Sequence, residues 1–117
     1  MIIIKSPREI EHLKRSCAIV VEVFQELKKA IEPGITTKEL DRITEKIILS
    51  KGGIPAFKGY RGFPASLCVS INEEVVHGIP CQRRLREGDI VSLDAGVNLN
   101  GYFGDGAMTL PIGEVDQ

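Results

Sequence analysis

Two aspartates stand where a strand would more cheaply bury something apolar. In the run V-S-L-D-A-G-V-N-L-N-G-Y-F-G-D-G-A-M-T-L, residues 91–110, Asp94 and Asp105 interrupt two stretches of strand character. Between them lies Asn100-Gly101, which supplies the positive φ that both centres of a type I′ turn require and so predicts a two-residue hairpin. Counting outward from that turn pairs Leu99 with Tyr102, Gly96 with Asp105, and Asp94 with Ala107. Opposed residues share a face and a shift of two along one strand keeps it, so the aspartates become diagonal neighbours roughly 7–8 Å apart. A bulge at Gly96, Gly104 or Gly106 would change this register by one. Converging carboxylates repel one another, and in a partly buried site one of them is driven towards its neutral form. A divalent metal removes that penalty. Two ions roughly 3.5–4 Å apart also bring a bridging water close to ionisation at neutral pH, which supplies hydroxide for hydrolysis. On spacing alone, an ordinary hairpin with its acids facing water fits equally well.

His77 is the next residue able to do chemistry, in Val75-Val76-His77-Gly78-Ile79-Pro80, where a strand runs into a glycine-proline turn. A histidine there serves as a structural residue, a metal ligand, or a proton donor or acceptor to a substrate amide. Spacing does not choose among these. His12, in a charged run, reads as surface.

These residues need a scaffold. Ser6-Pro7-Arg8-Glu9 carries a capping box with proline at the first helical position, so a helix starts there. Ile10, Leu13, Cys17, Val20, Phe24, Leu27 and Ile31 follow at spacings of three and four, with Val21 widening the stripe, until Pro33-Gly34 ends the helix. No further heptads follow, which favours packing on a sheet over a coiled coil. Thr36 caps a second helix with Leu40, Ile43 and Ile47 on its apolar face, ending at Gly52-Gly53. Residues 54–64 break both periodicities, yet hold Phe57, Tyr60 and Phe63, half of the six aromatic residues. Aromatic residues in such a loop either cover the edge of the core or wall an apolar pocket. From Ser66 onward the chain turns β-rich: 67–71, a turn at Asn72-Glu73, Val75-Val76, 90–93, and 102–112. Helices first and strands after predict an α+β fold, an antiparallel sheet covered by two helices.

Composition narrows the partners. The chain has 117 residues, 43% hydrophobic and 26% charged, with a net charge of −1, as expected of a single globular domain over 1–117. The charges are interspersed, so nothing pulls it onto nucleic acid or an anionic membrane. Arg83, Arg84 and Arg86 lie beside Glu87 and Asp89 and read as a solvated turn. Cys17, Cys68 and Cys81 form no C-x-x-C pair, no signal peptide opens the chain, and no apolar run spans a bilayer, so a soluble protein of the reducing cytoplasm is expected.

The run 68–80, then Gly88-Asp89-Ile90-Val91-Ser92-Leu93-Asp94-Ala95-Gly96, then Gly101-Tyr102-Phe103-Gly104-Asp105, closely resembles the type I methionine aminopeptidases. The likeness extends back through Gly59-Tyr60-Arg61-Gly62-Phe63-Pro64 and the first helix. It implies a metallo-exopeptidase that removes the initiator methionine of nascent polypeptides with two divalent ions, of cobalt, manganese, iron or zinc. It also implies Asp94 and Asp105 as metal ligands, Asp105 bridging both ions, and His77 as the residue contacting the scissile amide. Phe57, Tyr60, Phe63 and Cys68 are implied to line the methionine pocket, where a polarizable thioether suits aromatic rings and a thiol. Asn72 and Glu74 resemble the family's monovalent-cation loop. Family members are about twice as long and are built from two similar halves, the pita-bread fold. The second half brings a histidine and two glutamates to the metals. The expectation is therefore an N-terminal half holding two of five ligands, completed by a C-terminal half or by a second copy, with little activity alone. Two other readings compete: a non-catalytic binding module of the same fold, and a proline-directed or creatinase-like hydrolase. Converging acids argue against the first, and the His-Gly-Ile-Pro context argues against the second.

Overall fold

Each helix begins where a side chain replaces a missing backbone partner. A computed structural model describes residues 6–59, 62–72 and 78–113. Helix α1 (Pro7–Ala30) opens on the expected capping box, with the Ser6 hydroxyl accepting from the Glu9 amide at 3.2 Å and the Glu9 carboxylate accepting from the Ser6 amide at 3.2 Å. Helix α2 (Thr37–Ser50) opens with the Thr36 hydroxyl accepting from the Glu39 amide at 3.1 Å. It closes where Gly52 takes φ +82°, a turn that a side chain would resist.

Strands β1 (Ile54–Pro55), β2 (Leu67–Ile71), β3 (Ile90–Leu99) and β4 (Tyr102–Pro111) form one antiparallel sheet. Strand β3 is central. All ten of its residues pair with β4 on one edge, while β1 and then β2 share the other edge, opposite 97–98 and 91–95. The short strand β1 falls inside the segment expected to be irregular. Its two residues pair because β2 leaves the last turn of the β3 edge open.

Both helices cover the same face of the sheet, as α+β packing requires. Val91, Leu93, Ala95 and Val97 point into a core shared with Val20, Val23, Leu27, Leu40, Ile48, Leu67, Val69 and Ile71. Each large aliphatic side chain buried there contributes roughly 1.5–3 kcal/mol. The buried stripe of α1 differs from the one expected. Ser16, Ile19, Val20, Val23 and Leu27 face inward, whereas Ile10, Cys17 and Val21 are exposed. The reason lies at the sheet, where β4 approaches so closely that the small Ser16 sits at the contact. Its hydroxyl donates to the Tyr102 carbonyl at 2.7 Å, which satisfies a polar group that burial would otherwise penalise. His12, expected on the surface, stacks on the Tyr102 ring with centroids 4.5 Å apart.

Candidate functional site

The 3–4 hairpin carries the two acids as its turn demands. Asn100 and Gly101 have φ of +54° and +88°, and the Gly101 amide donates to the Asn98 side chain at 2.8 Å. Pairing then runs unbroken from Leu99↔Tyr102 to Ile90↔Pro111, with Gly96↔Asp105 and Asp94↔Ala107, so no bulge shifts the register. The glycines have a different role. A Cβ on Gly104 would sit 2.8 Å from the Cys17 nitrogen and 2.9 Å from the Ser16 carbonyl carbon, and one on Gly106 would sit 3.0 Å from Val20 Cγ1. Glycine on both sides of Asp105 therefore lets β4 lie directly on α1 while the aspartate between them projects from the opposite face.

That opposite face, free of helices, gathers most of the described site residues. Asp94 is half-buried and Asp105 exposed, and neither forms a hydrogen bond or ion pair among the described residues. Cys68 pairs with Asp94 across β2–β3 and so shares its face. Burial raises the Cys68 thiol above its ordinary pKa, and the Asp94 carboxylate adds to the rise. Phe57 lies over Gly96, where a Cβ would come within 2.9 Å of the ring, and the Ala56 amide donates to the Gly96 carbonyl at 2.9 Å. The Ser92 and Thr109 hydroxyls hydrogen-bond at 2.9 Å in a neighbouring row.

The remaining expected residues are placed less completely. Phe63 is half-buried, and its carbonyl accepts from the Gly59 amide at 2.7 Å. Gly78 lies across β2: its carbonyl accepts from the Val69 amide at 2.7 Å, and a Cβ on it would meet Cys68 Sγ at 2.7 Å. Its neighbour His77 lies outside the described residues, as do Tyr60 and Glu74. Asn72, at φ +56°, accepts from the Ile90 amide at 2.9 Å and donates to Asp89 at 3.1 Å. Its side chain is thus engaged in the turn.

Two contributors had no sequence signal. Asp41 on α2 accepts from the amides of Ser66 and Leu67, and Gly96 makes room for Phe57; both contacts join residues more than twenty-four positions apart. As to metal, the two aspartates fit as hard oxygen donors, neither being hydrogen-bonded or ion-paired among the described residues. Among the described residues no group of three or more His, Cys, Asp and Glu side chains gathers, so these two alone form an incomplete set. No helix among the described residues is long and apolar enough to cross a membrane.

Known proteins share this fold. Residues 11–117 match the model of metallopeptidase family M24. Methionine aminopeptidase 1 of Bacillus subtilis is 56% identical over 115 residues, covering 98% of this chain and 46% of that protein. The crystal structure of a methionine aminopeptidase from Thermotoga maritima superposes with a TM-score of 0.94 at 43% identity, over 100% of this chain and 47% of that one. A prolidase from Pyrococcus furiosus superposes at 0.83 with 24% identity, covering 98% of this chain and 33% of that one, which is a likeness of fold. The chain spans about half the length of the curated relatives it matches. With a helix-covered antiparallel sheet forming half of the pita-bread fold, and a match over nearly its whole length, the chain belongs to metallopeptidase family M24.

Proposed function

We propose that this chain contributes the N-terminal half of a methionine aminopeptidase, which removes the N-terminal methionine of nascent peptides in a metal-dependent hydrolysis. The observation that carries this reading is the shared face of Asp94, Asp105 and Cys68, set by the pairings Asp94↔Ala107, Gly96↔Asp105 and Cys68↔Asp94, with the Phe57 ring lying over Gly96 on that face. Asp94 and Asp105 would hold the divalent ions, of cobalt, manganese, iron or zinc. When bound, the metal supplies a water acidic enough to attack at neutral pH and polarises the scissile carbonyl. Phe57 and Cys68, with Tyr60 and Phe63, form the methionine pocket, and their apolar, polarizable surfaces suit a thioether. His77 holds the scissile amide by hydrogen bonding, and the turn at Asn72, with Glu74, accommodates a monovalent cation.

Because two carboxylates are a weak site for a divalent ion, the reading requires a complement. The C-terminal half of the fold is its natural source. A second copy of this chain is the substitute that twofold symmetry allows. Phe103 and Ile90, 61% and 49% exposed on the helix-free face, are the apolar surface such a partner would cover.

Calorimetric titration with Mn²⁺, followed by methionine release from Met-Ala peptides after adding a C-terminal half of the fold, tests the proposal. Weak binding that Asp94→Asn or Asp105→Asn abolishes, and activity that appears only on complementation, are expected. Binding unchanged in both variants would sink it.

A further inference from the structure

Among its described residues, the aromatic segment has little ladder of its own. Between Ala56, whose amide donates to the Gly96 carbonyl, and Leu67, where β2 begins, the backbone hydrogen bonds among the described residues run from the Gly59 amide to the Phe63 carbonyl and from the Gly62 amide to the Gly59 carbonyl. Ordering an irregular backbone costs roughly 1–2 kcal/mol of conformational entropy per residue, so contacts from outside the segment have to offset it. Helix α2 does so at both ends. One carboxylate oxygen, Asp41 Oδ1, accepts from the Ser66 amide at 2.8 Å and from the Leu67 amide at 2.9 Å. One turn further along the same helix, Glu45 pairs with Lys58 at 2.6 Å. The two anchors are unequal. Lys58 is exposed and Glu45 only half-buried, and ion pairs open to solvent in this way contribute little. Asp41 is half-buried and takes two charge-assisted bonds from backbone groups beside the fully buried Ser66, the stronger kind of contact.

Both amides sit immediately before Cys68, and the tethered segment follows Phe57 and contains Tyr60 and Phe63. We infer that Asp41 is a positioning residue for the side-chain pocket: from α2, on the far side of the sheet from the acids, it sets where the aromatic segment enters β2 and so where Cys68 and its aromatic neighbours stand. The assignment rests on the functional reading above, but its structural part is testable without it.

The test compares Asp41→Ala, which removes the acceptor, with Asp41→Asn, which keeps an oxygen there. In this chain, hydrogen exchange reports the Ser66 and Leu67 amides, and site-resolved alkylation by iodoacetamide reports Cys68, with the exposed Cys17 and Cys81 as internal references. Asp41→Ala is expected to accelerate exchange at Ser66 and Leu67 and alkylation of Cys68 by about tenfold. Cys17, Cys81 and the β3–β4 amides should be unchanged, and Asp41→Asn should restore most of the difference. In the complemented enzyme, Asp41→Ala should raise KM for methionine peptides about tenfold with kcat within about twofold. Unaltered Cys68 alkylation, or acceleration at every cysteine and throughout the hairpin, would overturn the inference. A wild-type complemented enzyme that releases no methionine defeats the functional reading instead, and exchange and alkylation then decide the role of Asp41 alone.

Discussion

The hairpin that carries Asp94 and Asp105 and the segment that begins at Ala56 and Phe57 meet at Gly96, but they are positioned by different physics. In the hairpin, two turn residues and strict alternation set every pairing over ten residues, so the place of each acid follows from local chain geometry. The aromatic segment has no such periodicity. It is held by Asp41 and Glu45 on a helix, by the Gly96 carbonyl, and by the absence of a side chain at Gly96. The acids are thus placed by the sheet itself, while the aromatic segment depends on contacts reaching across the fold. The half-fold can therefore hold its two acids in place while the aromatic segment remains more easily disturbed.

The strongest test of that contrast places the same methyl group on the two sides of the sheet. Gly104→Ala drives a Cβ into the backbone of α1 at Ser16 and Cys17, which cannot turn aside. Destabilisation of about 3 kcal/mol is expected in urea unfolding followed by circular dichroism; a loss under about 1 kcal/mol would mean that the helix–strand contact is loose. At Gly96 the obstacle is the Phe57 ring at 2.9 Å and the Ala56 methyl at 3.2 Å, on the open side. Because a ring can swing away, Gly96→Ala should cost only about 1 kcal/mol in the same assay. Its main effect should be local, with methyl and ring resonances of the aromatic segment shifting while the hairpin amides stay in place. Equal losses at the two glycines would erase the distinction between rigid hairpin and adaptable aromatic segment.

The smallest expected effect concerns the turn leading into β3. The Arg86 amide donates to Asp89 at 2.9 Å and the Asn72 side chain at 3.1 Å, and these bonds hold the carboxyl below its ordinary pKa. A carboxyl that is more acidic in the folded state favours folding at neutral pH, and that contribution is lost as pH falls below the usual value near 3.8 and through the lowered one. Asp89→Asn should lower the urea midpoint slightly at pH 7 and leave a shallower fall between pH 5 and pH 3. An identical acid profile in both proteins would show that this turn contributes nothing to the pH dependence.

What local sequence determined here was whatever repeats or punctuates: two capped helices, the glycine that ends α2, the I′ turn, and through it the shared face of Asp94 and Asp105. Each arises from interactions within a few residues or from a period of two, which a linear string displays directly. Tertiary structure decided the rest. The inward face of α1 rotated from the expected stripe to Ser16, Ile19 and Val23 because Gly104 admits the helix backbone and the Ser16 hydroxyl finds the Tyr102 carbonyl. Ile54 and Pro55 became a strand because the β3 edge offered partners there. Asp41 reached Ser66 across twenty-five positions. A contact between distant residues depends on how whole elements pack, and no spacing along one chain encodes the distance between two surfaces that meet only after folding.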